Sequence, residues 1–338
     1  MVDNRIKVSV YCLAYNHSAY IEQTINGFLS QKTDFRYEVI IHDDASPDKT
    51  AEIIKKYENE YPDIIKGIYQ TKNQYSQRIN ITRTFVLPQL NGEYVCLCEG
   101  DDFWTDPYKL QKQVDVMDEF LDCHLCVHRT SEVTVTGEPT GVFFPNVDLN
   151  SGIIESKEFL KLCSKSYSFH TSSYMFRMSE WCKYIQNPPK FKTVCDVGDE
   201  PYLLYFGQLG KVYYINDVMS SYRRGVSTSW SNRRASETDI NKIIKHPTAM
   251  IETYLEFDKY TNGKYHNLFL PKTANMKLQL SIFTKSCKRL LNKAEREYFK
   301  SLPVAKRVIA FFGAIFPGLL LTCYLRRLKR LNKRKGYL

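Results

Sequence analysis

The chain has 338 residues, 43% hydrophobic and 25% charged, the profile of an ordinary folded soluble protein and neither a disordered nor a collagen-like one. Ten cysteines scattered over this length, with Met1–Val10 running straight into strand-like sequence where a secretory leader would stand, favour reduced thiols in a cytoplasmic protein over a disulfide scaffold. Nine positive charges and no acid fall within residues 301–338, which accounts for nearly all of the formal +10; no nucleic-acid recognition motif accompanies them, so nucleic acid is not an expected partner.

In chain order, Lys7–Ala14 is an apolar run of strand length. Tyr20, Ile21, Ile25, Phe28 and Leu29 then recur at helical spacing, with Ser18 the expected N-cap. Tyr37–His42 reads as the second strand and ends in Asp43-Asp44-Ala45-Ser46-Pro47. There Ser46 is expected to cap, and Pro47 to open, a helix running to about Glu60 and closed by Pro62. Ile64–Tyr69 reads as a third strand, Ile79–Leu90 as a helix disturbed by Pro88, and Tyr94–Cys98 as a fourth strand ending in Glu99-Gly100-Asp101-Asp102. Asp106-Pro107 opens a helix through Leu121. Shorter strands follow to Phe144, then a helix near Lys157–Leu162, a strand near Ser172–Arg177, a helix over Asp199–Leu209, and strands at Val212–Ile215 and Met219–Arg223. From Ser236 the chain is helical and amphipathic. Strand-then-helix alternation predicts an α/β fold: a mostly parallel open sheet flanked by helices, with a C-terminal helical extension. The expected division is 1–235, 236–300 and 301–338. Cys123-x-x-Cys126 with His128 lacks the second pair that a zinc site needs.

Ligands of an open α/β sheet bind beyond the carboxyl ends of its strands. Both acidic clusters fall there, Asp43-Asp44 after the second strand and Glu99, Asp101 and Asp102 after the fourth. Carboxylates held together are costly unless something neutralises them, and a divalent cation bridging a diphosphate does so with hard oxygen ligands. The competing reading makes them turn and cap residues. Neither G-x-G-x-x-G nor a Walker lysine motif occurs, which argues against dehydrogenases and P-loop enzymes. Leu13-Ala14-Tyr15-Asn16 is not the Gly-rich basic loop of a nucleotidyltransferase.

Val8-Ser9-Val10-Tyr11-Cys12-Leu13-Ala14-Tyr15-Asn16, then Ser30-Gln31, Glu38 through Thr50, and Gly92 through Trp104 resemble the family 2 glycosyltransferases of the GT-A fold. The resemblance covers roughly residues 5–230. It implies an inverting glycosyltransferase that uses a nucleotide-sugar donor and a Mn2+ or Mg2+ ion, in cell-surface polysaccharide or glycan synthesis. By match, Tyr15 and Asp44, with Asp43 beside it, hold the nucleoside. Glu99, Asp101 and Asp102 bind the cation, Glu99 standing where the family usually has Asp. The implied catalytic base is Asp199, in Gly198-Asp199-Glu200-Pro201, where Gly198 replaces the usual acid; Asp196 is the fallback. Tyr222-Arg223-Arg224 resembles the family's closing segment, and an arginine fork there suits a diphosphate. His170-Thr171-Ser172-Ser173 lies where the acceptor is met. The alternative is a non-catalytic glycosyltransferase-like protein that binds nucleotide-sugar or serves as a scaffold.

Val308–Leu325 is eighteen residues without a charge, interrupted by Pro317-Gly318 and followed by the basic run Arg326–Lys335. That is the lower edge for a spanning helix, so a helix pair dipping into, or lying along, the inner face of the cell membrane is expected, with residues 301–338 on anionic lipid. Packing on the catalytic domain and an oligomer contact are the alternatives. Membrane attachment suits a lipid-linked saccharide acceptor; a free saccharide is the other.

Overall fold

The computed structural model describes residues 5–165 and 169–334. They form two compact units. The first comprises Met1–Phe159, Ser166–Pro188 and Tyr205–Arg224; the second comprises Leu160–Lys165, Pro189–Leu204 and Gly225–Leu338. The division thus falls at Arg224/Gly225, and the second unit also takes two earlier segments, including the one that carries Asp199.

The strands of the first unit are β1 (Ile6–Ala14), β2 (Arg36–Asp43), β3 (Ile65–Tyr69), β4 (Tyr94–Glu99), β5 (Phe103–Trp104), β6 (Cys123–Val133), β7 (Pro139–Phe144), β8 (Gly152–Ile154), β9 (Met175–Arg177) and β10 (Lys211–Arg223). They make one sheet in the order β3-β2-β1-β4-β9-β6-β10-β5, with β7 on β6 and β8 on β10. The first four are parallel. Beyond β4 the sheet is mixed: β9 runs antiparallel to β4 and β6, while β10 runs parallel to β6. Helices cover both faces, so β1 and β4 are apolar in nearly every residue and do not alternate, as parallel strands buried on both sides are. Helix Ile21–Leu29 buries Ile21, Ile25 and Phe28, and helix Lys109–Glu119 buries Leu110, Val114 and Met117, both into the core that holds Val8, Val10, Cys96 and Cys98.

The chain runs β1, β2, β3 to one side and then returns to place β4 on the other side of β1. That reversal opens a crevice outside the carboxyl ends of β1 and β4, the expected ligand position in such sheets.

Local details differ from the sequence reading. Helix Ile21–Leu29 has no side-chain cap, and Ser18 donates its N–H to Asp48 Oδ2 at 3.0 Å. The next helix is Thr50–Glu60, three residues later than Pro47 implied. Its N-cap is Lys49, without a side-chain bond; Asp48, one residue earlier, accepts the Thr50 N–H at 3.0 Å, and Ser46 is committed to Asp43 and Asn16. Residues expected to be helical around Pro88 form a π turn, Thr82–Val86, and a short 3-10 turn, Leu87–Gln89. The two strands expected near residue 215 are one, β10, with register shifts between Ile215 and Val218 where Asn216-Asp217 interrupts the apolar pattern. The strand expected from Ser172 begins at Met175, after a 3-10 turn over Thr171–Ser173.

The second unit is helical. Helices Lys245–Tyr260 and His266–Phe283 pack through Tyr254, Phe257 and Phe269. Buried Glu200 is held there by the Tyr254 hydroxyl at 2.9 Å and the Lys272 ammonium at 2.7 Å. Helices Val304–Ile315 and Pro317–Arg334 bury Ala310, Leu320 and Leu321 against Leu278, Ile282, Cys287 and Leu290. Proline cannot continue the first helix's hydrogen-bond ladder, so the uncharged stretch folds as two helices that meet at Phe316-Pro317. Among the described residues no helix is long and apolar enough to cross a membrane. Lys335, at the end of the basic run, lies outside the described residues.

Candidate active site

The loop after β1 and the loop after β2 are laced together. Asn16 adopts a left-handed φ of 60° and donates its N–H to Ser46 Oγ at 3.0 Å; the His17 N–H reaches Thr50 Oγ1 at 2.9 Å. This turn leaves the Tyr15 ring 39% exposed just past the strand end. Asp43 and Asp44 are both buried, yet they are used differently. Asp44 accepts the Gln74 N–H at 2.7 Å on Oδ1 and the Tyr75 N–H at 3.1 Å on Oδ2, fixing the loop after β3. Asp43 Oδ2 accepts the Ser46 N–H at 3.1 Å, while its buried Oδ1 has no hydrogen-bond partner among the described residues. A buried acceptor without a donor is costly and marks a place where a ligand donor is welcome.

The acidic turn after β4 lies across β1 from that pair, Leu13 registering with Glu99 and Ala14 with Asp43. Glu99 is exposed, Asp101 is 6% exposed and Asp102 is 1% exposed. One carboxylate oxygen from each lies within 4.8 Å of the others. The residue between them must be glycine: a Cβ at position 100 would lie 2.8 Å from His17 Nδ1 and 3.0 Å from Ile21 Cδ1. Buried Thr24 ties the turn down by donating its hydroxyl to the carbonyls of Gly100 at 3.1 Å and Asp102 at 2.6 Å.

Arg223 closes the turn from β10. Its main-chain N–H donates to Asp102 Oδ1 at 2.8 Å. Its guanidinium donates to the Asp101 carbonyl at 3.0 Å, the Val135 carbonyl at 3.0 Å and Gln23 Oε1 at 2.6 Å, between the rings of Tyr20 and Phe103. With 4% exposure and all three nitrogens engaged, Arg223 is a clamp on the acidic turn. Arg224 pairs with buried Glu132 at 2.5 Å. Lysine cannot reproduce the Arg223 fork. Arg223→Lys is therefore expected to lower unfolding stability by about 1.5–3 kcal/mol, the range for hydrogen bonds to a charged group, measured by urea denaturation. Unchanged stability with weakened donor binding would instead assign Arg223 to the donor.

The electrostatics follow from burial. Desolvation, then the charges of Asp101 and Glu99, push the Asp102 carboxyl well above the usual carboxylate range, and Arg223 only partly offsets this. The His170 ring is buried with Nε2 3.6 Å from Asp102 Oδ2 and its face toward Tyr222; desolvation pulls it down to about 3, so it stands neutral at physiological pH and does not neutralise the acids. His17 Nε2 is 3.9 Å from Asp101 Oδ2. Three close carboxylates offer hard oxygen donors, which fit a divalent cation that keeps phosphate oxygens among its ligands. His17 and Gln23 were not singled out from sequence, since only the fold brings them to the acidic turn.

Asp199 belongs to the second unit. It is half-buried at the start of helix Glu200–Leu209, where its Oδ1 accepts the Glu200 N–H at 2.9 Å and its carbonyl accepts the Tyr202 N–H at 3.1 Å. The neighbouring acids are committed: Asp196 pairs with His246 at 2.9 Å and Glu200 with Lys272. The site residues of the first unit are thus gathered around the β1 and β4 ends, and Asp199 is presented at a helix start.

The family model "Glycosyl transferase family 2" matches residues 9–180. An uncharacterised protein of Mycobacterium tuberculosis is 36% identical over 165 residues, 47% of this chain and 46% of that protein. The Escherichia coli UDP-Glc:alpha-D-GlcNAc-diphosphoundecaprenol beta-1,3-glucosyltransferase WfaP is 32% identical over 111 residues, 33% of this chain and 41% of that protein. The matched segment thus spans less than half the length of these relatives. Staphylococcus aureus TarS 1-349, solved in complex with UDP-GlcNAc, superposes with a TM-score of 0.61 at 15% identity over 98% of this chain and 92% of that one, a shared GT-A fold. With the family model covering half of its length, this chain belongs to glycosyl transferase family 2.

Proposed function

We propose that this chain is an inverting glycosyltransferase that moves a sugar from a nucleotide-diphosphate donor to a hydroxyl of a saccharide, free or lipid-linked, in cell-surface glycan synthesis at the cytoplasmic face of the membrane. The observation that carries the reading is the trio Glu99, Asp101 and Asp102, converging within 4.8 Å at the crevice where the sheet order reverses. The diphosphoundecaprenol acceptor in the name of the Escherichia coli relative supports the lipid-linked form.

In this reading Tyr15 offers its exposed ring to the nucleoside, and Asp43 Oδ1 accepts a donor N–H or O–H beside Asp44. Glu99, Asp101 and Asp102 would hold Mn2+ or Mg2+, which when bound would supply charge stabilisation to the diphosphate leaving group. Arg223 keeps Asp101 and Asp102 in place, and Arg224 holds the end of β10 through Glu132. Asp199 accepts the proton of the acceptor hydroxyl as that oxygen attacks the anomeric carbon. The bond to the diphosphate oxygen breaks on the opposite side, so the configuration inverts and the proton finishes on the Asp199 carboxylate.

A thermal-shift screen of nucleotide-sugars with and without Mn2+ tests the assignment. Ligand bound only by the folded state raises the melting temperature according to its affinity. Donors of one nucleotide are expected to raise it, and only with the divalent ion present. If no nucleotide-sugar or nucleoside diphosphate shifts it under either condition, the reading is wrong.

A further inference from the structure

Among the described residues, the C-terminal helices leave one apolar face largely exposed. On helix Val304–Ile315 the exposed residues Val304, Val308, Phe311, Phe312 and Ile315 fall within an arc of about 100° at 3.6 residues per turn. Buried Ala310 and Gly313 occupy the opposite side. Phe311 is 52% exposed and Ile315 69%. Phe316 and Leu319 continue the exposed apolar surface over the break at Pro317. The second helix, Pro317–Arg334, then changes character along its own exposed side, where Leu319, Cys323, Arg326, Arg330 and Lys333 share a face. From Leu319 to Arg326 the helix axis rises about 10 Å.

We propose that this surface docks on an anionic lipid bilayer, with Val308, Phe311, Phe312, Ile315 and Leu319 entering the acyl boundary and Arg326, Arg327, Lys329, Arg330 and Lys333 lying at the headgroups. Two properties together select the occupant. An interfacial helix buries its apolar face some 5–10 Å below the headgroups and keeps cations at them, and here the exposed apolar surface runs from Val308 to Leu319 directly into the exposed cationic segment from Arg326. The cations are exposed, and residues 301–338 contain no acid, so the surface complements anionic headgroups. A second copy related by a two-fold axis would set the same cationic patch against itself. The inference stands apart from the transfer reaction, because none of these residues is placed in the active site.

The test uses the full chain and sucrose-loaded vesicles of phosphatidylcholine, alone or with phosphatidylglycerol. The wild type is expected to sediment with the phosphatidylglycerol vesicles, less so at high salt, and poorly with phosphatidylcholine alone. Phe311→Glu with Ile315→Glu is expected to weaken binding tenfold or more, by removing apolar insertion. Ile315 is exposed and Phe311 is half-exposed with its ring against Phe299, so the melting temperature is read beside vesicle binding, and the nucleotide-sugar thermal shift should match the wild type. Phe312→Trp should gain fluorescence quenched by lipids brominated on the acyl chain. The proposal is overturned if the wild type stays in the supernatant, if the double variant sediments unchanged, or if the introduced tryptophan is not quenched. A dimer in sedimentation velocity that the double variant abolishes would assign the face to a second copy and would also overturn it.

Discussion

Replacing Asp199 with asparagine is expected to lower the transfer rate by roughly 10²–10⁴-fold, the usual contribution of a general base, while leaving the donor dissociation constant nearly unchanged. The substitution is well suited to the question because it separates two roles of one side chain. Asparagine keeps an Oδ1 that can accept the Glu200 N–H, so the helix start survives; it loses the ability to take a proton. Among the described residues the two acids nearest in sequence are engaged elsewhere. Asp196 is tied to His246, and Glu200 is buried against Lys272 and the Tyr254 hydroxyl. Asp196→Asn is therefore the control, with an expected rate close to wild type. The measurement is kcat at saturating donor, paired with calorimetric donor binding. A kcat for Asp199→Asn equal to the wild type would remove Asp199 from the mechanism, whereas a wild type that binds donor and shows no transfer at all would favour a chain that binds nucleotide-sugar without transferring it.

The first four strands could be read from residues because each is a mainly apolar run ended by turn chemistry, and their carboxyl ends told where the acids would stand. What escaped the reading was long-range. Ser18 and Ser46 have the composition of helix caps, yet both serve to lace the β1 and β2 loops across about thirty residues of sequence, a partnership that a local rule has no access to. Arg223 resembled a ligand residue by type and position. Its guanidinium is instead satisfied by Asp101, Val135 and Gln23, from three separate parts of the chain, and only the folded sheet brings these together. His17 has no signal of its own; it matters because Gly100 leaves room for its ring. Around residues 79–90 the apolar spacing was helical, but Pro88 leaves only short turns. The inventory of acids was therefore legible early, and the scaffold that holds them was not.

Asp101→Asn is expected to move stability and binding in opposite directions. With Mn2+ present, donor binding should weaken on the order of 10²-fold, since a charged hard-oxygen ligand is lost from a set of three. Without metal, the variant should melt higher than the wild type. The sign follows from Asp102, whose carboxyl is raised by burial first and by the Asp101 and Glu99 charges next. A buried acid raised in the folded state binds its proton more tightly there than in the unfolded chain. Folding is consequently weakened as pH climbs from about 4, the unfolded value, to the raised value of Asp102. Removing the Asp101 charge lowers that raised value, so less stability is lost by neutral pH. Melting temperatures taken from pH 4 to 8 in chelator should show the wild type falling more steeply than the variant, and Mn2+ with donor should reverse their order. Such an inversion is the signature of carboxylates kept together for a ligand at the expense of the empty fold. A variant that loses stability in chelator and still binds donor with Mn2+ like the wild type would make the acidic turn structural and leave the cation without a site.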